Sequence, residues 1–311
     1  MLSIVEIVLP VFLIIGAGYF TVWKGMFAEP HVDALMNFTQ TYAIPCLLFT
    51  AVANLDLAAV FSLDLILSYY IPATSIFVLS GLIAAFGFKR TPGASVSIGF
   101  TALFSNMVLL GLPIMERAFG ADSLTANYAL ISIHAPFCYI IGITSMEVLR
   151  ADGRGAMATF QSVLMAIFKN SLAIGLMLGF LVNFSGVTLP TVLNSAIEMM
   201  VRSALPCALF ALGGVMVRYH FTNNLPEVAV LGILKLILFP AFAYLLAQYV
   251  FDLSIAQRNS VVITAAMAPG VNTYIFANLY GRGKATAASA VVILTAISVF
   301  TISAWLAFLG A

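Results

Sequence analysis

The chain has 311 residues, of which 62% are hydrophobic and 8% charged, with a formal net charge of +1. Soluble domains carry about a quarter charged residues, so there is too little polar material here to coat a water-facing surface, and lipid must cover most of it. The near-neutral charge excludes the basic field that a nucleic-acid partner requires.

A membrane span needs roughly 20 mainly apolar residues. On that rule ten spans follow in chain order: Ser3–Trp23, Leu35–Val52, Ile66–Phe88, Ala94–Arg117, Leu124–Leu149, Leu164–Phe184, Leu193–Val217, Val228–Phe251, Gln257–Tyr280 and Ala285–Leu309. The first lacks a basic leader and is a full span long, so it reads as a retained helix rather than a cleaved signal peptide. A polar joint, Arg150 to Gly155, separates the fifth span from the sixth. The connections leave no room for an extramembrane domain. Cys46, Cys138 and Cys207 all fall inside apolar spans without CxxC spacing and read as small core residues.

Basic residues cluster in alternate loops. Those after the first, third, fifth, seventh and ninth spans carry Lys24, Lys89, Arg90, Arg150, Arg154, Arg218, Arg282 and Lys284, against Arg117 and Arg258 on the other side. Lysine and arginine stay cytoplasmic, which puts both termini outside a multi-pass protein of the plasma membrane.

An internal repeat relates the halves. Ala43-Ile44-Pro45-Cys46-Leu47-Leu48-Phe49 matches Ala204-Leu205-Pro206-Cys207-Ala208-Leu209-Phe210 at an offset of 161. The same offset carries Gly18 to Gly179, Gly25 to Gly186 and Phe119-Gly120 to Tyr280-Gly281. Five spans per half is an odd number, so residues 156–311 would enter the membrane from the side opposite to residues 1–155, as two inverted repeats.

The fourth and ninth spans are each interrupted, by Gly111-Leu112-Pro113 and by Pro269-Gly270. Proline removes a backbone donor and clashes with the preceding turn, while glycine accepts the conformations that result. Irregular backbone at membrane depth survives only when buried in protein or lining a watery cavity. A second half-helix is expected to start near Pro113 and another near Asn272 and Thr273, both capable of capping. Two helix starts meeting from opposite sides present free N–H groups and partial positive charge to an anion. Asn106, Gly111, Pro113, Pro269, Asn272 and Thr273 are therefore the candidate substrate-binding residues. Pro45 and Pro206 lack an adjacent glycine and read as kinks supporting that site.

Ionisable groups inside spans are costly and need a reason. Arg202 lies in the seventh span, four residues after Glu198. It either pairs with that glutamate or faces the cavity and binds a carboxylate. Lys235 sits mid-span in the eighth, as a paired cation or as a fixed or titrating charge beside the site. His134 is a proton relay or a buried neutral ring. Asn127 and Tyr42 could line the cavity or join helices. Glu116 and Arg117 lie just beyond the break in the fourth span, where they could gate its outer end. Asp56 and Asp122 fall near interfaces. No histidine pair has metal spacing, and neither a GxSxG elbow nor a nucleotide-binding loop occurs, so neither enzyme chemistry nor a cofactor is expected.

Three runs, Asn106 with Gly111-Leu112-Pro113-Ile114, Leu205 to Gly213, and Ala266 to Tyr274 ahead of Ala277 and Tyr280-Gly281, together resemble the auxin efflux carrier family. The similarity is to its compact bacterial and archaeal branch, which includes malonate and malate permeases. The resemblance implies an all-α fold of ten transmembrane helices with crossed helices four and nine, as in sodium/proton antiporters and bile-acid symporters. It also implies a scaffold of helices one, two, six and seven, with a face for a homodimer, and a transport domain of helices three to five and eight to ten. Plant members carry indole-3-acetate, a carboxylate. The expected function is alternating-access transport of a small organic anion, by an elevator-like or rocking motion. The rivals are a proton- or sodium-coupled carrier, which would want a carboxylate at the crossing, and a receptor that binds without moving its ligand.

Overall fold

The computed structural model describes residues 4–54, 62–150, 171–219 and 224–311. Its helices are α1 (Ile4–Trp23), α2 (Glu29–Ala53), α3 (Leu63–Gly87), α4 (Pro92–Leu103), α5 (Leu112–Phe119), α6 (Leu124–Arg150), α7 (Ser171–Ser185), α8 (Thr191–Met216), α9 (Leu225–Val250), α10 (Ile255–Ala265), α11 (Asn272–Tyr280) and α12 (Lys284–Leu309). Among the described residues, seven of these (α1, α2, α3, α6, α8, α9 and α12) are long and apolar enough to cross a membrane. The fourth expected span corresponds to α4 and α5, and the ninth to α10 and α11. The start of the sixth at Leu164, Asp56, Arg154 and the joint beyond Arg150 lie outside the described residues.

Local chemistry explains the helix ends. Ser62 accepts from the Leu65 N–H to cap α3, and Ser254 with Gln257 forms a capping box at α10. Gly120 and Gly281, matched in the repeat, have φ of 83° and 67° and end α5 and α11 in a region that glycine enters freely.

Prolines shape the interiors. π-helical turns at Thr39–Ala43, Met107–Gly111 and Leu234–Leu238 each stand just before an X-Pro pair. In each, the residue preceding proline (Ile44, Leu112 or Phe239) donates its N–H five residues back. Widening the turn relieves the clash between the proline ring and the carbonyl one turn earlier. Two carbonyls left without a partner find side chains instead. Trp305 Nε1 donates to Leu236 O at 3.0 Å, opposite the missing N–H of Pro240, and Arg117 Nη2 donates to Glu6 O at 2.7 Å, opposite Pro10.

The chain divides into two compact units, Met1–Leu9, Phe61–Phe160 and Tyr219–Ala311 in one and Pro10–Val60 and Gln161–Arg218 in the other. In the second unit the helices approach at glycines. A Cβ on Gly18 would lie 2.0 Å from Phe210 O, and one on Gly179 would lie 2.8 Å from Phe49 O. These contacts are reciprocal: the offset of 161 that links Gly18 to Gly179 also links Phe49 to Phe210. Arg218 ties the end of α8 to the start of α2, donating to Asp33 at 2.6 Å and to Glu29 O at 2.7 Å.

In the first unit, α3, α4, α6 and α9 to α12 enclose the largest fully buried side chains there, including Tyr69, Phe100, Lys235, Phe239 and Phe276. Two loops have the same form. Phe88 N–H reaches Ile83 O and Arg90 N–H reaches Ala84 O around Lys89 at φ 52°. Phe251 N–H reaches Leu246 O and Leu253 N–H reaches Ala247 O around Asp252 at φ 44°.

Candidate functional site

Backbone leaves helical geometry at Phe104–Asn106, and again between Ala265 and Asn272. The two interruptions pair with each other. Ser105 and Pro269 form an antiparallel bridge, with Asn106 N–H donating to Ala268 O at 2.9 Å and Gly270 N–H to Phe104 O at 3.1 Å. Backbone groups that would otherwise be orphaned at membrane depth thus satisfy each other, as low-polarity surroundings demand. Ala266, Met267, Ala268 and Ser105 are almost completely buried. Pro269 accepts its bridge position because it needs to donate nothing there. A Cβ on Gly270 would sit 3.4 Å from the Phe104 ring and 3.7 Å from Asn106 Cα, which is ordinary van der Waals contact, so the pairing of the two breaks does not itself demand glycine there.

Helical structure after the first break resumes at Met107, not near Pro113. The π turn supplies the first turn, and Pro113 becomes the second residue of the α-helix that continues from it. Asn106 sits immediately before this turn and caps nothing with its side chain. It is 6% exposed, and its Nδ2 is buried with no hydrogen-bond partner. A buried amide left unmade costs free energy, so an acceptor for it is the missing element. Gly111, on the same turn, donates its N–H to Asn106 O at 3.1 Å and faces Met267 across the crossing.

The second restart differs from expectation at Thr273. Its N–H and its hydroxyl both donate to Gly270 O, at 3.0 and 2.8 Å, so both of its donors close the local turn. Asn272 is the first residue of α11 and half-buried, and its side chain has no hydrogen bond to another described residue. It supplies no cap, because Val271 occupies that position.

Beside the bridge lies a polar cluster. Lys235, fully buried within the π turn of α9, donates to Ser105 Oγ and places its ammonium 4.4 Å from the centre of the Phe239 ring. Tyr69 Oη of α3 shares the same Ser105 oxygen at 2.8 Å. His134 of α6 is buried against Phe104, with ring centres 4.8 Å apart, and against Tyr69 at 6.0 Å, with Cys138 one turn away. Asn127 of α6 donates to Thr264 Oγ1 at 2.8 Å just before the second break, and its Oδ1 is buried without a partner.

Two expected residues belong to the other unit. Arg202 has an 83% exposed side chain and stands 4.0 Å from Glu198, which is the self-neutralising arrangement. Tyr42 is 58% exposed and stacks loosely on Phe38 at 6.4 Å. Arg117 and Glu116 follow the first break, and Arg117 is spent on Glu6 O and Ile7 O. The site residues that sequence reading missed are Ser105 and Tyr69. Ser105 was signalled only by its place next to Asn106. Tyr69 carried no signal, being one of 11 tyrosines.

Comparison with known proteins identifies the family. Residues 3–306 match the family described as "Membrane transport protein". The chain is 23% identical over 309 residues to the "Putative malonate transporter" of Rhizobium meliloti, covering 97% of this chain and 95% of that protein. It is 26% identical over 294 residues to the uncharacterized transporter YfdV of Escherichia coli K12, covering 92% of each. It is also 20% identical over 307 residues to an uncharacterized transporter of Methanocaldococcus jannaschii, covering 96% of this chain and 97% of that one. The chain therefore belongs to the membrane transport protein family, that of the auxin efflux carriers, and is a multi-pass membrane protein of a transporter family.

Proposed function

We propose that the protein is a secondary carrier of a small carboxylate, bound where the two interrupted helices cross. The observation that carries this reading is the buried, unpartnered Nδ2 of Asn106, beside a paired backbone break and one residue from the serine that holds Lys235. A donor without an acceptor, a nearby ammonium and two half-helix starts form a place for negative charge. Asn272, on the opposite start, supplies a second free amide. The name of the Rhizobium meliloti relative favours a carboxylic acid as cargo.

The same reading takes the chain as ten helices in two inverted five-helix repeats. Its support is the reciprocal contact of Gly18 with Phe210 and Gly179 with Phe49, the paired left-handed glycines, and the matched loops around Lys89 and Asp252. The division into two compact units supports a moving domain of α3–α6 and α9–α12 against a scaffold of α2, α7, α8 and most of α1, in an elevator-like cycle. Both termini outside, a homodimer and the plasma membrane complete the proposal.

Uptake of radiolabelled malonate and malate into proteoliposomes tests it. Asn106→Ala and Asn272→Ala should abolish uptake while leaving folded protein in detergent. Full transport by both variants would remove the crossing from the site. Imposing proton and sodium gradients separately in the same vesicles decides the coupling.

A further inference from the structure

Among the described residues, two charged side chains are buried, Glu227 and Lys235. Glu227 is already neutralised. Arg90 Nε lies 2.5 Å from one of its oxygens, and Thr286 Oγ1 donates to the other at 2.8 Å. Lys235 has no such partner. Its hydrogen bond goes to a neutral hydroxyl, and its ammonium also lies against the Phe239 ring. The titratable groups that face it are Tyr69 of α3 and His134 and Cys138 of α6. None of them is a carboxylate, and none carries a negative charge in its ordinary form near neutral pH. Among the described residues, the buried interior around the crossing therefore offers one amine that can carry positive charge and no carboxylate set against it.

We infer that the site loads its substrate as a species with a single negative charge, Lys235 being the one countercharge, so that a dicarboxylic acid is carried in its singly protonated form. This rests on the carrier reading above. One ammonium and one carboxylate leave the loaded crossing neutral. A dianion would bring a second charge into a region where an unpaired charge is costly and water is scarce. The neutral donor of Asn106 remains available for a carboxyl oxygen that bears no full charge.

Equilibrium binding to the purified protein in nanodiscs tests the charge rule. The probes are malonate and two monoanions, monomethyl malonate and, above its own ionisation, acetate, titrated from below to above the second ionisation of malonate. The expected result is an apparent malonate affinity that falls about tenfold for each pH unit past that ionisation, while the monoanion that binds holds level. Lys235→Met should weaken both ligands at every pH, and Lys235→Arg should retain the pattern. If either variant fails to fold, the wild-type comparison alone decides. Malonate binding that is unchanged by its second ionisation, malonate bound with neither monoanion bound, or a parallel fall for both would each overturn the charge rule and leave the carrier reading intact. No carboxylate bound at any pH would overturn the carrier reading itself.

Discussion

Replacing Ser105 by alanine deletes one oxygen that serves two partners. Lys235 donates to it and Tyr69 Oη shares it at 2.8 Å, and both of those side chains are completely buried. A hydrogen bond to a charged group contributes about 1.5–3 kcal/mol, and a buried hydroxyl left without a partner costs about 1–3 kcal/mol. The expected destabilisation is therefore about 3–5 kcal/mol, less whatever water entering the vacated space recovers. Tyr69→Phe removes only the second partner and leaves Ser105 with Lys235, so it should cost about 1 kcal/mol. Adding Lys235→Met to Ser105→Ala removes the stranded ammonium, and the double variant should be more stable than Ser105→Ala alone. Reversible unfolding in mixed micelles with increasing SDS, followed by tryptophan fluorescence, measures all four proteins. If Ser105→Ala is no worse than Tyr69→Phe, or Lys235→Met gives no relief, Ser105 is not the hub of the cluster and the local electrostatics must be redrawn.

Three further outcomes follow from other contacts. Arg117→Met should cost about 1–2 kcal/mol in the native background and less in Pro10→Ala, because alanine restores an N–H for Glu6 O; strict additivity across the double-mutant cycle would show that Arg117 does not answer the proline. Gly18→Leu and Gly179→Leu should each abolish folded, monodisperse protein, since the added Cβ meets main chain that cannot rotate away; normal yield from either would contradict the close approach. Arg202→Gln should leave malonate binding within about twofold of wild type, as expected for an exposed ion pair worth little; a tenfold loss would return Arg202 to the site.

Seven of the expected spans and both interruptions were legible in the sequence because composition and proline–glycine chemistry act locally. Pro269 stands in its break, whereas Pro113 follows the other one, beyond the π turn of Met107–Gly111. The manner of the restart was not legible: a π turn from Met107 to Gly111 uses no residue that a normal helical turn would refuse. Nor could one string of letters reveal that Ser105, Tyr69 and Lys235 meet, since 36 residues separate the first two and 130 separate Ser105 from Lys235. A repeat search at one fixed offset found Gly18 and Gly179 but passed over the loops at Lys89 and Asp252. Those lie 163 apart, so a small insertion hid an identical hydrogen-bond pattern under unlike side chains. That the Thr273 hydroxyl donates to Gly270 O was likewise hidden, because a threonine hydroxyl serves a neighbouring carbonyl as readily as a ligand.

The exchange of contacts between Gly18 and Phe210, and between Gly179 and Phe49, bears on ancestry. Each half of the chain carries a ridge and the notch that receives the other half's ridge. A single five-helix chain bearing both would be complementary to a second copy of itself, and two copies inserted in opposite orientations would close the same contact twice. Fusion then adds a tether, not a new interface. The modern protein, severed at its central joint and supplied as two separate genes, should reassemble into one complex, whereas either fragment produced alone would keep an unfilled notch toward lipid and be degraded.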